Sequence, residues 1–306
     1  MISIEAIVLM TISTAVPLIF ASLGGVLSER AGVTNIGIEG MILFGAFCGM
    51  AVSFFTNNPI LGVLAAAIGG GLLALIHAFI SISCGGPQAV SATGITLFSA
   101  GITSFGLRLI FNRAGNSDPV AYLPTTEIFR DIPVIGKYMA NFSPLLYLAI
   151  IVSVGIWYLF RHTPLGLRIH TVGENPKVAE TLGINVWRIR YWCVIVSGML
   201  AGLGGAYLSL GQMNIFQENM SAGRGYLALA AVILGRWKPL GAISACLFFS
   251  VFDAIQLQLQ ATNVTGLSPT ILSAIPYVVC LLVLAFSFGK SKAPAANGKP
   301  YLKKNN

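Results

Sequence analysis

The chain has 306 residues, of which 56% are hydrophobic and only 9% charged. Soluble domains carry roughly 25% charged residues, so a water-soluble globule is excluded as the expected state. The formal charge of +8 does not point to nucleic acid, because the Lys and Arg residues fall in short segments between apolar stretches and in the C-terminal tail, the positive-inside pattern of a membrane protein.

Stretches of about 17 to 25 mostly apolar residues are long enough to cross a bilayer. Nine candidates follow in chain order, near 6–28, 37–56, 60–82, 88–111, 143–160, 191–211, 222–235, 240–258 and 271–289. The first opens Met-Ile-Ser-Ile-Glu without a basic region and outruns a signal-peptide core, so it is expected to be retained. The seventh is short enough to be a half-helix. A tenth span or a re-entrant segment is open between Cys84 and Thr103, where Gly85-Gly86-Pro87 interrupts the pattern. The expected fold class is all-α: a polytopic transmembrane helical bundle of about nine to ten spans. One membrane domain over 1–290 and a disordered tail over 291–306, which contains Pro294, Asn297, Gly298 and Pro300, are expected.

With alternate connections assigned to one side, thirteen of the eighteen Lys and Arg residues share a face. That face is expected to be cytoplasmic, with the N-terminus outside and the C-terminus inside. Arg108, Arg113, Arg130, Lys137 and Arg224 fall on the other side. Two connections exceed simple turns: 112–142, outside, and 161–190, inside. Most of the thirty-four glycines sit inside apolar stretches, where small residues let helices approach closely; Gly198, Gly202 and Gly205 mark such a face. Cys48, Cys84, Cys193, Cys246 and Cys280 lack CxxC spacing and read as small apolar residues.

No catalytic constellation and no metal site is expected. Gly289-Lys290-Ser291 has the end of a P-loop, but Leu284 occupies the position of its first glycine. Gly223-Arg224-Gly225 with Ala228 fits GxGxxA without the strand that dinucleotide binding needs. Polar residues within spans are more informative, since each is costly unless paired or facing water. Thr93, Thr96, Ser99 and Thr103 share one helix face, which would serve either as pore lining or as helix-to-helix glue. Asp253, Gln256 and Gln260 form a second polar face, with Arg108 as a possible partner for the carboxylate. Glu39 reads as a charge at a helix N-terminus or in a local salt bridge.

Three stretches carry a family resemblance. Glu29-Arg30-Ala31-Gly32-Val33-Thr34-Asn35-Ile36-Gly37-Ile38-Glu39-Gly40-Met41 resembles the segment entering the second span of permeases in the branched-chain amino acid, ribose and simple-sugar group of ABC importers. Thr163-Pro164-Leu165-Gly166-Leu167-Arg168, continuing through Val172-Gly173-Glu174-Asn175-Pro176 to Gly183-Ile184-Asn185, is similar to that group's cytoplasmic coupling loop. Gly223-Arg224-Gly225-Tyr226-Leu227-Ala228-Leu229-Ala230, followed by Gly235-Arg236-Trp237-Lys238-Pro239, looks most like the nucleoside-importer branch. The resemblance runs from about Ala15 to Phe288; it departs at His170-Thr171, where relatives continue Arg-Ala.

The resemblance implies a type II-like, binding-protein-dependent importer in which this chain forms a translocation path for nucleosides in the cell membrane. The implied partners are a cytoplasmic ABC ATPase, a second and non-identical permease subunit, and an extracellular substrate-binding protein of lipoprotein type. This chain would hold no cofactor, ATP and Mg being bound by the ATPase. A simple sugar such as ribose is the alternative cargo, and an ion-gradient-driven carrier using Asp253 the alternative mechanism. The expected substrate path comprises Asp253, Gln256, Asn214, Phe216, Tyr226, Thr96, Ser99 and Thr103, with the two aromatic rings offered for base stacking. The expected ATPase contact comprises Gly173, Glu174, Asn175, Pro176, Lys177, Ala179 and Gly183. Within it Asn175 and Pro176 predict a helix start, Lys177 to Leu182 a short helix, and Gly183 its stop.

Overall fold

The computed structural model of the chain describes residues 4–124, 142–262, 268–287 and 292–301. Twelve α-helices are formed among the described residues. They are α1 (Ile4–Arg30), α2 (Ile38–Thr56), α3 (Pro59–Ala78), α4 (Gln88–Phe111), α5 (Pro144–His162), α6 (Pro164–Glu174), α7 (Pro176–Thr181), α8 (Val186–Ala206), α9 (Arg224–Leu234), α10 (Pro239–Thr262), α11 (Pro269–Ser273) and α12 (Ile275–Ser287). A π-helical turn extends α3 over Phe79–Ser83 and another extends α8 over Tyr207–Gln212. Among the described residues eight helical stretches are long and apolar enough to span a membrane, and the apolar α9 is too short to do so. The seventh expected span is thus a half-helix. The stretch after Gly85-Gly86-Pro87 forms one unbroken helix, α4.

Local chemistry sets the helix starts. Pro follows the cap residue at α3, α5, α6 and α7, where its missing N–H costs nothing and its fixed φ suits a first turn. Asn58, Thr163, Asn175 and Asn185 each accept a backbone N–H of the turn they open.

The core is α8 wedged against α1, α2 and α3. Small residues permit it: a Cβ on Gly202 would run into the Ala66 carbonyl of α3, and one on Gly198 into Gly70 and Ala74. Gly45 of α2 packs just as closely on Gly202, and Gly205 on the Ile42 carbonyl. The small-residue face expected from the sequence therefore meets two helices at once. On the other flank α1 packs on α9 and α10, and α4 rests on α2.

The turn after α1, the connection 163–185, the turn 235–238 and residues 292–301 gather at one end of the bundle, joined by the Arg30, Arg190 and Ala296 contacts described below. Residues 112–124 lie at the opposite end, where Ser117 N donates to Phe216 O and Leu123 N to Leu210 O. The rest of the long connection expected there, with Glu127, Arg130, Asp131 and Lys137, lies outside the described residues. So do Gly289-Lys290-Ser291, Lys303 and Lys304. Of the tail expected to be disordered, residues 292–301 run in turns across the basic end of the bundle.

Candidate functional site

Two helices begin inside the bundle rather than at its surface. After α1 ends at Arg30 the chain turns back inward, and Asn35 Nδ2 donates to Ser197 Oγ at 3.2 Å, eleven residues into α8. Helix α2 starts three residues later. Helix α9 ends beside the turn at Trp237, at the α1–α2 end, and rises only about 16 Å over its 11 residues. Its start therefore lies about half the thickness of a hydrocarbon layer, itself about 30 Å, from that end. Non-helical backbone at that depth persists only where protein or a watered cavity satisfies it. The inward segment meets this condition: Thr34 N donates to Gln88 Oε1 at 2.7 Å, and Thr34 O lies 3.1 Å from His77 Nε2.

The two helix starts are joined by one carboxylate. Glu39, in the first turn of α2, accepts Gly223 N at Oε1 and Gly225 N at Oε2, both at 2.7 Å. These are N–H groups that a helix start leaves without an internal partner, and an anion is favoured there by the helix dipole. Gly223 has φ +80°, and a Cβ on Gly225 would lie 2.6 Å from the Glu39 backbone, so both glycines are required by the junction. Glu39 is thus a charge at helix N-termini, one its own and one belonging to α9.

A second charge pair stands beside this junction. Arg224 Nη2 lies 4.0 Å from Asp253 Oδ2 of α10, both side chains mostly buried, while Arg224 Nη1 donates to Met220 O at 3.1 Å. Tyr277 of α12 donates to Ala222 O. The partner of Asp253 is consequently Arg224, not Arg108, which is exposed on α4. Arg224 itself sits at the buried start of α9 rather than in an outer connection. Gln256 is buried one turn further along α10, and Gln260 donates to Pro269 O at 3.0 Å.

The remaining expected path residues do not all converge there. Tyr226 is exposed on α9. Phe216 is fully buried, edge-to-face on Phe47 at 5.4 Å, and its ring offers no open face in this conformation. Asn214 adopts φ +57° and its carbonyl accepts Val120 N. Thr96, Ser99 and Thr103 donate to the Ala92, Ile95 and Ser99 carbonyls of their own helix. Gly40 of α2 packs on Thr96 and Ser99, so this face meets a helix.

At the basic end, α6 and α7 form a small platform. Asn175 Oδ1 accepts Val178 N at 3.2 Å, α7 occupies Pro176–Thr181, and Gly183 takes φ +75°. Ala179 is buried against Val172 and Val186, whereas Lys177, Val178 and Leu182 face outward. Gly173 touches the turn after α1 so closely that a Cβ would run into the Arg30 carbonyl. Arg30 Nε in turn donates to Trp237 O at 2.8 Å, and Trp237 Nε1 to Glu29. His170 Nε2 lies 3.5 Å from Arg30 Nη1. The three motif stretches thus interlock through Arg30 and Glu39. Sequence reasoning assigned no role to Glu29, Thr34, Arg190, Trp237 or Tyr277. The signal available for the first four was their polarity within or beside motifs; Tyr277, in the apolar run Ile275-Pro276-Tyr277, carried none.

Residues 7–284 match the family described as branched-chain amino acid transport system / permease component. The chain is 38% identical to the guanosine ABC transporter permease protein NupQ of Bacillus subtilis, covering 98% of this chain and 97% of that protein. It is 34% identical to the nucleoside ABC transporter permease protein NupC of Lactococcus lactis, covering 98% of each. A putative glucose ABC transporter permease protein of Haloferax volcanii is 32% identical over 90% of each chain.

Proposed function

Because the chain belongs to the branched-chain amino acid transport system / permease component family, we propose that it is the membrane-spanning subunit of an ATP-driven, binding-protein-dependent nucleoside importer, with the Arg224–Asp253 pair on the translocation path. The observation that carries this reading is the junction of the α2 and α9 starts at half depth with a charged pair beside it. Discontinuous helices at mid-membrane are how transporters present backbone and charge to a solute. Arg224, Asp253 and Gln256 supply donors and acceptors suited to ribose hydroxyls. The nucleoside relatives support that cargo over a simple sugar, the reading that the glucose relative keeps in view.

Energy enters from a cytoplasmic ATPase, which binds ATP and Mg; a non-identical second permease and an extracellular binding protein complete the importer. The basic end is then cytoplasmic and both this chain's N-terminus and the 112–142 connection outside. A ligand shifts a conformational equilibrium only through differential contacts. Val178 and Leu182, exposed apolar residues four apart at α7, are the grip. The route inward runs from Gly173 to Arg30, through the inward segment to Glu39, and across to α9.

The test is uptake of labelled nucleoside into cells that express the whole importer. Asp253→Ala is expected to lower uptake while ATPase and second permease still co-purify; native uptake by that variant removes the pair from the path. Leu182→Asp is expected to lose the ATPase on purification, and retention of it would remove α7 from the grip.

A further inference from the structure

Helix α7 has six residues, far below the length at which a helix holds itself in water. Tertiary contacts must fix it. One side packs on Val172 and Val186; Tyr301, from the far end of the chain, joins the same cluster.

The segment 292–301 reaches α7 across the whole basic end. Ala296 N donates to Gly173 O at 2.9 Å and Ala295 N to Glu174 Oε2 at 3.3 Å, tying it to α6. Asn297 accepts Thr34 Oγ1 at 3.0 Å and donates to Glu29 Oε2 at 3.3 Å, tying it to the α1–α2 turn. Arg190, fully buried on α8, donates from Nε to Ala31 O at 3.1 Å and from Nη1 to Lys299 O at 3.3 Å. Its guanidinium also stands 5.9 Å from the Tyr301 ring centre. Tyr301 then donates to the Glu180 carboxylate of α7. That acceptor pushes the Tyr301 phenol up to about 12, further above physiological pH than an ordinary phenol, which is already a neutral donor there. Asn297 N bonded to Pro294 O, Lys299 N bonded to Ala296 O and Gly298 at φ +76° give the segment a defined path.

We propose that residues 292–301 are a strap that holds α7 in register with the α1–α2 turn, with Tyr301 and Asn297 as positioning residues at its two ends. The strap joins the gripped helix to Glu29 and Thr34, which head the segment leading to Glu39. A push on α7 is therefore transmitted to the half-depth junction instead of being absorbed by movement of a loose six-residue helix. This inference rests on the reading of α7 as the ATPase grip.

The experiment uses the whole importer in lipid nanodiscs, with Tyr301→Phe, Asn297→Ala and a chain ended after Lys292. ATPase co-purification, basal hydrolysis, stimulation by nucleoside-loaded binding protein, and hydrogen exchange of 176–183 are measured. The strap predicts retained association and basal hydrolysis, faster exchange in 176–183, and a loss of stimulation of about fivefold or more for the shortened chain. Tyr301→Phe keeps the ring beside Arg190 and should lose less. Glu180→Ala should match it, the double variant should add nothing further, and Glu180→Gln, which keeps an acceptor, should restore most of the stimulation. Unchanged stimulation in the shortened chain and in both point variants overturns the strap. Loss of ATPase association in the point variants also overturns it, by making the segment part of the docking surface. Leu182→Asp separates the two readings: if it leaves association intact the grip itself is misplaced, whereas if it abolishes association and the shortened chain couples normally, only the strap fails.

Discussion

Removing the Glu39 carboxylate tests the half-depth junction. Glu39 is buried, and its two oxygens take the N–H groups of Gly223 and Gly225, each at 2.7 Å. Glu39→Ala leaves both donors without a partner where little water reaches. A buried donor deprived of its acceptor costs about 1–3 kcal/mol, so the pair amounts to about 2–6 kcal/mol. Glu39→Gln keeps one carbonyl acceptor and forfeits one bond together with the charge, and should fall between. Hydrogen exchange in the purified complex reads this locally: at the low end, about 2 kcal/mol corresponds to roughly thirtyfold faster exchange over 221–228. The order native, Gln, Ala is expected there, with α3 and α8 unaffected. Exchange in 221–228 that is the same in all three proteins would refute the bridge between the two helix starts.

Arg224 and Asp253 are mostly buried and 4.0 Å apart. Arg224→Gln or Asp253→Asn alone should lower the thermal midpoint in detergent more than the double neutral variant does, because each single change strands a buried charge; equal midpoints would mean the pair is watered. Gly202→Leu should abolish accumulation of the protein in the membrane, since even a Cβ there meets the Ala66 carbonyl; normal accumulation, read by immunoblot, would contradict the packing of α8 on α3. Gly173→Trp should likewise prevent assembly rather than only uncouple hydrolysis, because Gly173 abuts the Arg30 carbonyl; an assembled but uncoupled complex would show that the contact is dispensable for folding.

Hydropathy and span length made the long helices legible, since an apolar run near twenty residues has few other destinations. The short run ending at Leu234 likewise announced a half-helix, and the Asn175-Pro176 pair with Gly183 announced α7, because capping chemistry is local. What the sequence withheld was register between distant helices. Asp253 and Gln256 were identifiable as polar residues in an apolar helix, but their meeting with Arg224 depends on where α9 starts in depth, which no periodicity encodes. The hydroxyl face of α4 was visible; that Ser99 and Thr103 spend their donors on their own helix became clear only once α2 lay against it. Residues 292–301 look disordered by composition, yet their backbone groups and Asn297 match polar groups on four separate elements, a complementarity that arises only in three dimensions.

The measurement that bears most directly on the account is nucleoside accumulation in proteoliposomes containing this chain, its second permease and the ATPase, with loaded binding protein outside and ATP within. Accumulation of labelled nucleoside should require both ATP and the binding protein, and should fall in Asp253→Ala while basal ATP hydrolysis continues. Accumulation by this chain alone under an ion gradient, or ATP-driven accumulation of a simple sugar with none of nucleoside, would contradict it.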